Sequence, residues 1–158
     1  MSEVSAAMGL TSIESMDEIV RVNRDNHAIY VRSLSGISGI QVIPFGGTEQ
    51  HNYQYVVTEV GSDDEQLSRD NLQTLLLAEN VMTRRYFYPG CHRLQPYVSA
   101  SPTASEDLPV TEKLINTVLC FPTGTAVDNE AIERISEIVR FVLSNGNEIE
   151  HRLQGVVA

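Results

Sequence analysis

The stretch YQYVVTEV, Tyr53–Val60, carries the strongest β-strand signal in the chain, because β-branched and aromatic side chains suit a pleated, half-buried surface. Just before it stands IQVIPF, Ile40–Phe45, a shorter strand pattern stopped by Pro44, which has no backbone N–H to give to a ladder. FGGTEQHN, Phe45–Asn52, joins the two through paired glycines, so the two strands are expected to form a hairpin.

Outward from this hairpin the signals alternate. Ser2 to about Leu34 reads as a long helical stretch, with Ile19, Asn23, Tyr30 and Leu34 at helical spacings and Val20 beside them. Gly9 is expected to bend or break its first part. SGISGI, Ser35–Ile40, ends that helix by glycine. After the polar turn GSDDEQ, Ser68 caps a helix carrying Leu72, Leu75, Leu76 and Ala78. VMTRRYFY, Val81–Tyr88, reads as a strand and SASPTASEDLP, Ser99–Pro109, as a loop. VTEKLINT follows as a short helix and VLCF as a strand. Asp128 is a natural N-cap for a helix whose apolar face is Ile132, Ile135, Ile138, Val139 and Val142, closed by Gly146. With no internal repeat or long linker, residues 1–158 read as a single α+β domain whose small, largely antiparallel sheet is covered by helices on at least one face.

Composition narrows the partners. Twenty-one acidic residues against 11 basic ones give a formal net charge of −10, which disfavours non-specific attraction to nucleic acid or anionic lipid. No apolar run approaches the roughly 20 residues of a membrane span, and MSEVSAAMGL lacks the basic start and apolar stretch of a signal peptide. A cytoplasmic protein is expected. Cys91 and Cys120 are too few for a disulfide framework and too far apart for a CxxC motif, so both read as thiols.

The chemistry-bearing residues concentrate in RRYFYPGCHR, Arg84–Arg93, which holds three aromatics, three arginines, a cysteine and a histidine. Cys91-His92 as a nucleophile pair is disfavoured, because adjacent residues rarely place thiolate and base together. A metal site is equally disfavoured: two ligands stand here, with His27, His51 and His151 scattered elsewhere, where tetrahedral zinc takes four. A surface loop at the end of a strand is the plain reading. Yet arginine forks, tyrosine hydroxyls and an imidazole are the groups that recognise phosphates, sugar hydroxyls and carboxylates, so binding stays open. FGGT follows a strand without opening a helix, which favours a hairpin turn over a phosphate cradle. Asp63, Asp64 and Glu65 read as a solvated acidic turn rather than a cation site.

RRYFYPGCHRLQPY (Arg84–Tyr97) followed by LPVTEKLINTVLCFPTGTAVDNEAIERISEIVRFV (Leu108–Val142) resembles the C-terminal part of the DegT/DnrJ/StrS-type aminotransferases. MSEVSAAMGL with NRDNHAIYVRSL, and HNYQYVV between, extend that resemblance over nearly the whole chain in the right order. Those enzymes use pyridoxal phosphate to aminate keto groups on nucleotide-linked sugars. The resemblance implies the small domain of a fold-type-I aminotransferase, beginning after the larger domain that holds the cofactor. It also implies that Tyr86, Tyr88 and His92 face the substrate and donate to sugar hydroxyls or phosphate, with Arg84 or Arg85 available for a diphosphate; Pro89 and Gly90 shape the loop.

Pyridoxal-phosphate chemistry needs a lysine bonded to the cofactor. The chain has one lysine, Lys113, which reads as a solvated helix residue and does not stand where the resemblance places the cofactor lysine. No cofactor is therefore expected on this chain alone, which should not transaminate unaided. It is expected to be the substrate-facing part of a nucleotide-sugar aminotransferase, seen apart from its cofactor domain. The alternative is a free-standing non-catalytic binding or oligomerisation module. In either case an N-terminal helix written to pack on another surface should leave Val4, Met8, Ile13 and Met16 uncovered, and self-association into a homo-oligomer, most simply a dimer, would hide them.

Overall fold

The computed structural model describes residues 2–47, 49–61, 67–100 and 108–156. Its elements in chain order are α1 (Glu3–Glu14), α2 (Met16–Leu34), β1 (Ile40–Val42), β2 (Val56–Val60), α3 (Arg69–Ala78) and β3 (Arg84–Arg85). A 3-10 turn (Cys91–Arg93), α4 (Tyr97–Ala100), α5 (Pro109–Thr117), β4 (Val118–Phe121), α6 (Asn129–Ser144) and α7 (Gly146–Val156) complete it.

The four strands form one antiparallel sheet in the order β1-β2-β4-β3. The hairpin expected from the sequence is β1–β2, with Ile40 opposite Val60 and Val42 opposite Thr58. Residues directly opposite share a face. Val56, Thr58 and Val60 of β2 therefore share a face with Leu119 and Phe121 of β4, and all five are buried. Leu72 and Leu76 of α3 and Ile132 and Val139 of α6 belong to the same core, which Tyr30 of α2 completes. The opposite face carries Val57, Glu59, Val118, Cys120 and Arg84.

Several local signals act as the sequence implies. Ser68 Oγ accepts from the Asn71 N–H at 3.1 Å, and Asp128 Oδ1 accepts from the Ala131 N–H at 2.8 Å, each satisfying a donor at a helix start. Gly36, at φ +74, follows the end of α2. Ile132, Ile135, Val139 and Val142 are buried along α6, and Ile138 packs at the core margin.

Other expectations are corrected. Gly9 does not break the first helix: α1 runs through it, and the division falls at Ser15, whose hydroxyl donates back to the Thr11 carbonyl at 2.9 Å. Gly146 does not close α6; Asn145 is its C-cap, and Gly146 opens α7, a helix the sequence reading did not contain. The strand expected over Val81–Tyr88 is reduced to Arg84–Arg85, because Phe87 at φ +48 leaves extended geometry. Tyr53, at φ +51, likewise delays the start of β2. Ser99 and Ala100 of the expected serine-rich loop end α4, while 101–107, and with them Asp63, Asp64 and Glu65, lie outside the described residues.

His27 is buried on α2, with its ring 4.9 Å from Phe45 and 5.6 Å from Tyr53 and its Nε2 without a hydrogen-bond partner. Burial holds its pKa below the usual 6.5, against a smaller opposing hydrogen bond with the Ile43 backbone. The unfolded chain then takes up this proton first on acidification, so the stability His27 contributes is complete above pH 6.5 and falls as the pH drops below it. Thermal unfolding followed from pH 7.5 to 5 should show this slope reduced in His27→Phe; an equal slope in both proteins refutes it.

Candidate functional site

The segment Arg84–Arg93 leaves the sheet at its β3 edge, where Arg84 pairs with Cys120 and Arg85 with Leu119. Beyond Arg85 the backbone turns sharply. Phe87 takes φ +48 and Gly90 φ +99, and the Gly90 N–H returns to the Phe87 carbonyl at 2.6 Å. Left-handed φ at a non-glycine residue is costly and persists where surrounding contacts enforce it.

Two groups of side chains flank this turn. The first is aromatic: Tyr86 lies edge-on to Phe87 at 4.5 Å and to Tyr55 at 5.8 Å, and all three rings are exposed. The second is built on arginine. Arg85 stacks on the Tyr88 ring at 4.1 Å, and Arg69 approaches the same ring at 5.5 Å. Asp70 holds both guanidiniums, at 2.7 Å from Arg69 and 3.6 Å from Arg85. Arg69 is buried and also donates to the carbonyls of Val118 at 2.7 Å and Ile115 at 2.8 Å. It thereby ties the first turn of α3 to the α5–β4 junction and fixes the floor beneath Tyr88.

His92 stands apart from those rings. Its Nε2 lies 2.6 Å from Oε1 of Glu112 on α5, and its side chain is only 9% exposed. Arg93 grips the same carboxylate with Nε on Oε1, at 3.1 Å, and Nη2 on Oε2. The other side of the imidazole rests against Gly90, where an added Cβ would come within 2.7 Å of Cε1. Glycine is thus required here by both backbone angle and space.

The structure therefore brings Arg85 and Tyr88 together at the β3 edge, with Tyr86 against Tyr55 and Phe87, sets Arg84 on the opposite sheet face with Cys120, and holds His92 at the far end of the same turn. Cys91 is exposed, while the Nε2 of His92 is committed to Glu112, which offers no thiolate–imidazole pair through that nitrogen. Cys120 is buried, and burial pushes its thiol up. Among the described residues no group of three or more His, Cys, Asp or Glu side chains is placed to hold a metal ion. No helix among them is long and apolar enough to cross a membrane.

Sequence reasoning missed Arg69, Asp70, Glu112 and Tyr55. An arginine and an aspartate after a helix cap, and a glutamate in the first turn of a helix, read as ordinary solvated charges, and only tertiary placement distinguishes them. Tyr55 carried a usable signal, being an aromatic in the strongest strand stretch.

Comparison with known proteins gives a consistent result. The DegT/DnrJ/EryC1/StrS aminotransferase family matches residues 1–140. A dTDP-4-amino-4,6-dideoxy-D-glucose transaminase from Shigella dysenteriae is 33% identical over 140 residues, 89% of this chain and 37% of that protein. A GDP-perosamine synthase from Vibrio cholerae is 33% identical over 98 residues, 61% of this chain and 26% of its own length. The crystal structure of DesI in the presence of its TDP-sugar product superimposes with a TM-score of 0.89 at 40% identity, covering 98% of this chain and 38% of DesI. The chain thus spans under two-fifths of the length of each of these relatives. The α+β architecture, the antiparallel sheet and the match over residues 1–140 agree: this chain belongs to the DegT/DnrJ/EryC1/StrS aminotransferase family.

Proposed function

We propose that this chain is the substrate-facing part of a pyridoxal-phosphate-dependent nucleotide-sugar aminotransferase, acting with a cofactor-bearing region outside this sequence. The observation that carries this reading is the Arg84–Arg93 turn, where Arg85 stacks on the exposed Tyr88 ring and Tyr86 is also exposed, in a protein of net charge −10. Such groups suit a sugar bearing a diphosphate. Arg84 and Arg85 supply the positive charge, and the hydroxyls of Tyr86 and Tyr88 supply donors. His92, with its ring largely enclosed, sets the far wall. The relatives that act on dTDP- and GDP-linked sugars support this choice of ligand class.

The chain's own lysine does not fit the cofactor. Lys113 is its single lysine, sits 61% exposed on α5 and lies 3.5 Å from Glu59. A solvated, ion-paired ammonium lacks the desolvated pocket that makes a lysine a nucleophile. The role derived for these residues is positioning: binding the diphosphate and orienting the sugar, with no bond made or broken by this chain. Val4, Met8 and Ile13 on α1 and Met16 at the start of α2 are all exposed, which favours assembly with a further protein surface, including a second copy of the chain.

Two titrations test the reading. Pyridoxal phosphate followed by borohydride reduction should leave no stoichiometric adduct on Lys113, seen by absorbance and intact mass. Addition of dTDP, followed by NMR, should shift resonances within residues 84–93. A single adduct at Lys113 would move the cofactor site onto this chain, and absence of shifts in that segment would remove the substrate reading.

A further inference from the structure

Glu112 belongs to no part of the nucleotide-sugar reading above, yet it binds two residues of the Arg84–Arg93 turn, His92 and Arg93. Its carboxylate emerges from the first turn of α5, where the helix dipole favours negative charge, and is only 17% exposed. Oε1 meets both His92 Nε2 and Arg93 Nε, and Oε2 meets Arg93 Nη2. A half-buried carboxylate with three charge-assisted contacts is a strong fixed point, stronger than an exposed ion pair. Behind it α5 is anchored independently, since Arg69 donates to the Ile115 carbonyl. In front of it, the imidazole is wedged against Gly90.

We infer that Glu112 is a positioning residue: it latches His92 and Arg93 onto α5 and so holds the Arg84–Tyr88 side chains in a binding arrangement before any ligand arrives. An ionised carboxylate accepts, so His92 donates through Nε2–H. The β3 pairing holds one end of the turn and Glu112 holds the other. Between them the left-handed backbone of Phe87 and Gly90 is kept without support from regular secondary structure. Ordering that turn in advance removes its conformational cost from ligand binding. The consequence for affinity rests on the nucleotide-sugar reading; the latch itself does not.

The test uses Glu112→Ala and Glu112→Gln in the full 158-residue chain, with dTDP as probe and NMR as readout. In the parent chain a His92 Nε2–H resonance protected from solvent exchange is expected. Glu112→Ala should lose it and weaken dTDP binding about tenfold, the equivalent of one or two side chains that must be ordered on binding. Methyl resonances of Leu72 and Ile132 in the core should stay in place. Glu112→Gln keeps one acceptor oxygen, loses the charge and sets an amide NH2 where an acceptor stood, so it should restore part of the affinity and bind dTDP between Glu112→Ala and the parent. If Glu112→Ala binds dTDP as tightly as the parent, the positioning role is refuted while the nucleotide-sugar reading stands. If the parent chain shows no dTDP shifts in residues 84–93, the nucleotide-sugar reading fails and takes the positioning role with it.

Discussion

Arg69→Ala should destabilise the chain by about 2–4 kcal/mol, on the scale of a large core deletion. The side chain is only 1% exposed, and its guanidinium satisfies the carbonyls of Val118 and Ile115 while pairing with Asp70. Truncation removes two charge-assisted bonds to buried acceptors, each acceptor costing roughly 1–3 kcal/mol when left without a donor. Asp70 is half exposed, so water offsets part of its loss, which keeps the expectation below the upper range for a fully buried pair. Arg69→Lys keeps the charge but replaces a planar fork by a single ammonium, which cannot reach both carbonyls and Asp70 with the same geometry. It should recover less than half the loss. Urea unfolding checks both: the midpoint should fall with an unchanged slope, and an Arg69→Ala midpoint within error of the parent would show that solvent replaces these bonds freely. Because Arg69 also underlies Tyr88, the variant should disorder the Tyr88 ring even where the chain stays folded.

The contrast between Arg69 and Ser68 shows what the sequence discloses. Ser68 and Asp128 act through backbone donors three residues away, so their roles are written locally and were legible. The β1–β2 hairpin and the apolar stripe of α6 were legible for the same reason, being periodic patterns in neighbouring residues. Arg69, one position further on, reaches partners 46 and 49 residues away, and nothing near it in sequence marks that. Glu112 acts at separations of 19 and 20 residues. The break at Ser15 and the opening of α7 at Gly146 were misjudged because glycine propensity is a weak signal that neighbouring helix turns override. In the candidate site, composition singled out the Arg84–Arg93 segment but left a surface loop as the plain reading, and only the family resemblance gave its residues roles. Which members face solvent and which are tied down depended on contacts from α3 and α5.

Tyr30→Ala should cost about 3–5 kcal/mol, the range for removing a fully buried aromatic ring. Tyr30 is 0% exposed, its ring tilts against Phe121 at 5.6 Å, and its hydroxyl donates to the Pro122 carbonyl at 3.0 Å. One side chain thus fastens α2 to the end of β4, at the centre of the sheet, and the cavity left by alanine lies where two layers meet. Tyr30→Phe separates the terms: ring packing survives, the Pro122 carbonyl loses its donor, and a loss of about 1 kcal/mol is expected. The hydroxyl also gives a pH signature. Burial pushes its pKa well above the ordinary tyrosine value of 10, so between the two values the unfolded chain has lost this proton and the folded chain retains it. The unfolded state then binds fewer protons, and stability falls as the pH rises past 10. Urea unfolding at pH 9 and 10.5 should show a steeper loss in the parent than in Tyr30→Phe. Equal losses would mean that this hydroxyl ionises in the folded chain as readily as in water, and that the α2–β4 junction is open to solvent.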